Sequence, residues 1–108
     1  MTTFWQDIVE AAGDETIEAV VIGEMGWSNY NEEGREISAD KKGVVLTPAE
    51  AEALLSYDYH TGHGSPECHS VYAWTDARVL YTWQYDGATG IESAPRNPQA
   101  CMPEMAGG

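Results

Sequence analysis

The chain has 108 residues, enough for one domain with a single hydrophobic core, and about a third of the unfolded-chain surface of such a domain stays wet after folding. Eighteen Asp and Glu stand against five Lys and Arg, a formal charge of −13 that opposes direct contact with nucleic acid or anionic membrane surfaces. Two cysteines make neither a disulfide framework nor a CxxC pair, and neither a signal-peptide stretch nor an apolar run of membrane-spanning length is present, so a soluble, cytoplasmic protein is expected.

Thr2 or Thr3 can cap a helix running to about Ala12, with Phe4, Ile8, Val9 and Ala12 on one stripe and Asp7 and Glu10 outside it. Gly13 ends it. The run Ala19-Val20-Val21-Ile22 is short and β-branched, which predicts a buried, central strand. From Gly23 to Asp40 the chain is irregular, and its Trp27 and Tyr30 either anchor a long loop inward or stand out as contact residues. Val44-Val45-Leu46 predicts a short strand. Thr47-Pro48-Ala49-Glu50 then combines a capping Thr, Pro at the first helical position and an acid at the third, which opens a second helix reaching about Tyr57.

Val71 to Trp74 and Val79 to Tyr85 are almost wholly β-branched or aromatic and predict a strand pair joined by Thr75-Asp76-Ala77-Arg78. Alternation sets Val79, Tyr81, Trp83 and Tyr85 on one face and Leu80, Thr82 and Gln84 on the other. The heavier aromatic face, with Trp74, Tyr81 and Trp83, is expected to be largely buried. After the turn dipeptide Asp86-Gly87, Thr89 to Ser93 offers a third strand. The expected fold is α+β: residues 1–94 form one small domain with a mainly antiparallel sheet of four to five strands and two helices on one face, and residues 95–108 form a Pro/Gly-rich tail.

Two features carry functional expectations. The first is acidity, because the first 58 residues hold thirteen acids and three bases. Asp14, Glu15, Glu18, Glu24, Glu32, Glu33, Glu36 and Asp40, with Trp27 and Tyr30, form a candidate binding face for a protein with a basic surface, such as a nucleic-acid-binding protein. The same charges equally suit a solvated face that serves solubility alone.

The second feature is His60-Thr61-Gly62-His63 followed by Cys68-His69, three imidazoles and a thiol of the types that suit zinc, with Asp58, Glu67 and Cys101 in reserve. Its spacing lacks the two separated ligand pairs of a finger or ribbon, and a polar loop in which histidines gather accounts for it as well. Cys68 is a poor candidate nucleophile, since His69 on an extended chain points away from it and acidic surroundings raise a thiol pKa. With no P-loop, GxGxxG, HExxH or GxSxG, a non-enzymatic protein without a cofactor is expected; the alternative is a zinc protein or metal-dependent enzyme using His60, His63, Cys68 and His69.

Tyr85-Asp86-Gly87, Ile91-Glu92-Ser93 and Pro95-Arg96-Asn97-Pro98 resemble the tail of small, uncharacterised bacteriophage-type acidic proteins. In composition the chain also resembles phage-encoded inhibitors of host defence that imitate the charge of DNA. The resemblance implies an anti-defence interaction role and brings no catalytic residues with it.

Overall fold

The computed structural model describes residues 3–25, 34–59, 68–85, 88–103 and 105. Its elements are α1 (Phe4–Ala12), β1 (Ala19–Met25), a 3-10 turn at Ala39–Lys41, α2 (Pro48–Leu55), β2 (His69–Trp74), β3 (Arg78–Tyr85) and β4 (Ala88–Pro95). The four strands form one antiparallel sheet in the order β1-β2-β3-β4, so the fold is α+β. No helix among the described residues is long and apolar enough to cross a membrane.

Both helices begin with a reciprocal capping box. The Thr3 hydroxyl accepts from the Gln6 backbone N–H while Gln6 Oε1 accepts from the Thr3 N–H, and Thr47 and Glu50 repeat the exchange. Gly13 closes α1 at φ 64°, a backbone angle that glycine adopts at no steric cost. Phe4, Trp5, Ile8 and Ala12 of α1 are buried, whereas Val9, expected on the inner stripe, is 44% exposed. From α2, Ala51 and Leu55 join the same core.

The sheet face beneath the helices consists of Val20 and Ile22, Val71 and Ala73, and Leu80, with Leu46 and Ile37 closing the side. These medium aliphatic groups let the helices approach the pleated surface closely. Register puts the bulky residues on the opposite face: Tyr72 pairs with Tyr81, Trp74 with Val79 and with Ala19, and Trp83 with Gly90. There Trp74, Tyr81 and Trp83 are half-buried, and Tyr72 keeps 56% of its surface. The expectation that the heavier aromatic face is the core is therefore corrected, since the helices cover the lighter one.

Two further expectations change. β1 is an edge strand rather than a central one; on its outer side Val20 bridges to Leu46, and the Ile22 carbonyl accepts from the Gly43 N–H at 2.8 Å. Val44 and Val45 are exposed and form no strand of their own, so the second predicted strand reduces to that bridge. The turn at Asp86-Gly87 lies outside the described residues.

Candidate functional site

Where α1 ends, β1 begins and the β2–β3 turn comes round, one guanidinium gathers the chain. Arg78 Nη2 donates to the carbonyls of Ala11 and Ala12, both at 3.0 Å, and so covers the C-terminal end of α1. Its Nε donates to Glu15 Oε1 at 3.0 Å and Nη1 donates to Ser93 Oγ at 3.1 Å. The buried Thr75 hydroxyl donates to the same Glu15 oxygen at 2.7 Å, while it accepts from the backbone N–H groups of Ala77 and Arg78 and so shapes the turn. Hydrogen bonding by Thr75, then by Arg78, holds the Glu15 carboxyl below its ordinary value. Beside this network Arg96 Nη1 donates to Glu18 and to the Thr75 carbonyl, each at 2.7 Å.

Asp14, Glu15, Glu18 and Asp76 meet around an open cleft of about 390 Å³ at this end of the sheet. The exposed Asp14, Glu18 and Asp76 make its rim, while Glu15 faces inward to Thr75 and Arg78. Elsewhere Lys42 pairs with Glu24 at 2.6 Å and Lys41 lies 3.7 Å from Glu50. Arg35 donates to the Asp58 carbonyl and stands 5.6 Å from the centre of the Tyr57 ring. All five cations of the chain are thus engaged within it. Of the proposed acidic face, Glu15, Glu18 and Glu24 are tied into ion pairs, Glu36 is exposed, and Asp40 is exposed with its carboxyl lowered by a hydrogen bond from Ser38. Glu32, Glu33, Trp27 and Tyr30 lie outside the described residues.

The described half of the histidine cluster is built into the core. Cys68 and His69 are both buried, and the His69 backbone N–H donates to Tyr57 Oη at 2.9 Å. The same hydroxyl is hydrogen-bonded to His69 Nδ1 at 2.9 Å. Tyr59 packs edge-on against Phe4 and donates to Asp7, and burial followed by that carboxylate pushes its phenol well above the ordinary range. His60 and His63 lie outside the described residues, and among the described residues no three metal-ligating groups converge.

Sequence reasoning missed Arg78 and Thr75 as the organisers of this end of the fold. The available signal was an isolated cation two residues after the turn-forming Asp76 in a chain poor in cations. No protein-family model, no curated protein and no solved structure matches the chain.

Proposed function

We propose that the protein is a non-enzymatic acidic binding protein that occupies a basic surface on a protein partner. A nucleic-acid-binding host protein involved in defence is the matching class, with the chain acting as a phage-type inhibitor by charge mimicry. The observation that carries this reading is the engagement of every cation: Arg35, Lys41, Lys42, Arg78 and Arg96 all face partners within the chain. No described cation interrupts the cleft rim formed by Asp14, Glu18 and Asp76 except Arg96, which already serves Glu18 and the Thr75 carbonyl. A field of one sign steers a basic partner and repels nucleic acid itself.

The test is co-purification from a host lysate at low and then high salt, followed by titration into the partner's complex with nucleic acid. Capture weakens as the Debye length falls from about 30 Å at 0.01 M to about 8 Å at 0.15 M, and the partner releases its nucleic acid. Asp14→Lys with Asp76→Lys, and separately Glu32→Lys with Glu33→Lys, weaken capture while changing stability by less than about 0.5 kcal/mol each. A partner that keeps its nucleic acid at saturation and binds both double reversals as tightly as wild type overturns mimicry.

A further inference from the structure

The sheet face opposite the helices carries none of the residues that line the acidic cleft. Among the described residues no helix or strand packs over Val21, Tyr72, Trp74, Val79, Tyr81 and Trp83, and Tyr72 is 56% exposed. Tyr72 and Trp74 stand edge to face, 6.0 Å between centroids. Gly23 brings no side chain to this face, and beside it opens a hollow of about 270 Å³ lined in part by Val21, Ser70, Tyr72 and Tyr81. Glu92, opposite Tyr81 in the register, brings a carboxylate to this face, and the tail residues Cys101, Met102, Pro103 and Met105 line a hollow with the two of them. At its far end the face runs into the acidic cleft, because Trp74 directly precedes Thr75 and its carbonyl accepts from the Glu18 N–H at 2.7 Å.

We infer that this face is the docking surface for an extended, arginine-bearing segment of the basic partner proposed above. The inference rests on that reading and adds the chemistry of the contact. Aromatic faces beside carboxylates favour guanidinium groups, which stack on rings and fork onto carboxylates, over lysine ammonium groups, which act as point charges. Alternate side chains of an extended segment lie on one side, a spacing that suits the pleat of a sheet. Charge decides against the other occupants. A second copy would bring another chain of formal charge −13 against the first, and nucleic acid meets the same repulsion.

The experiment titrates the full chain with two synthetic peptides, one alternating Arg and Ser and one alternating Lys and Ser at equal length, and reads tryptophan fluorescence at about 0.15 M salt. The arginine peptide binds about tenfold more tightly than the lysine peptide, and Tyr72→Ala or Tyr81→Ala removes most of that difference without lowering the melting temperature of the Tyr72 variant. Asp14→Lys with Asp76→Lys weakens both peptides alike, which separates the cleft from the face. Equal binding of the two peptides with no effect of Tyr72→Ala overturns the docking surface and leaves the acidic reading standing. No binding of either peptide even at about 0.01 M salt overturns both. A dimer in light scattering that Tyr72→Ala dissociates assigns the face to a second copy and overturns the inference.

Discussion

The indole of Trp83 lies across Gly90, its partner on the neighbouring strand: a Cβ placed on Gly90 would stand 2.6 Å from Trp83 Nε1 and 2.8 Å from Cε2. Glycine is what allows the ring to lie down on the sheet. Gly90→Ala gains about 0.4–1 kcal/mol from a stiffer unfolded chain but incurs about 1–3 kcal/mol of overpacking, so it destabilises. A lowered melting temperature with red-shifted tryptophan emission is expected; unchanged values of both would show that the ring has room to move. Trp83→Ala, by contrast, removes a half-buried side chain and should cost about 1–2 kcal/mol rather than the larger loss of a core aromatic.

Arg78→Met should cost about 2–4 kcal/mol in chemical denaturation, since it strips donors from Glu15, Ser93 and two carbonyls at the end of α1. Lys41→Met, which removes a long, exposed pair with Glu50, should change stability by less than about 0.5 kcal/mol. Equal losses in the two variants would show that the guanidinium network contributes no more than a surface pair.

Acid should loosen the same network. The Glu15 carboxyl is held below its ordinary 4.5 in the folded chain, so its contribution is present above that value and is lost as pH falls through the lower folded value. Relief of the −13 charge on acidification acts on every variant, and comparison with Glu15→Gln removes it. The stability gap between wild type and Glu15→Gln should narrow as pH is lowered below about 4.5 and vanish under strong acid. A gap that is constant with pH would mean that the charge of Glu15 is immaterial.

Protein purified without a tag should carry no stoichiometric zinc, and a chelator should leave its melting temperature unchanged, because Tyr57 already holds His69 Nδ1 within the core. Tyr57→Phe should cost about 1–3 kcal/mol by leaving the His69 backbone N–H without its acceptor. About one equivalent of copurifying zinc, lost with the fold on chelation, would instead support the metal reading of the histidine loop.

Local chemistry was legible and long-range chemistry was not. Thr3 with Gln6, and Thr47 with Pro48 and Glu50, complete their caps within four residues, so both helix starts follow from neighbouring side chains. Alternation in Val71–Trp74 and Val79–Tyr85 separated the two faces of the sheet correctly, but ring size pointed to the wrong one as the core. The small side of Val71, Ala73 and Leu80 won, because helices need a smooth aliphatic floor while rings such as Trp83 can lie along an open one. The apolar run of β1 looked central because Val20 and Ile22 are buried under the helices, while Gly43 and Leu46 hydrogen-bond the outer edge where a further strand would pair. At the candidate site the acids were visible as a count, yet the pairing of Glu15 with Arg78 and of Glu18 with Arg96 joins positions distant in the chain, and no periodicity encodes it.

The register of the sheet also sets an order of assembly. β2, β3 and β4 form a meander whose turns close over short stretches of chain, with Trp74 opposite Val79 and Tyr85 opposite Ala88, whereas β1 reaches β2 by pairing Ala19 with Trp74 across the intervening helix. Closing the longer loop costs more chain entropy and gains nothing until the meander offers an edge. Truncations at Leu80 or Ile91 should therefore slow refolding, whereas Val20→Ala should act mainly by hastening unfolding, and a chevron analysis of the three variants reads the difference directly.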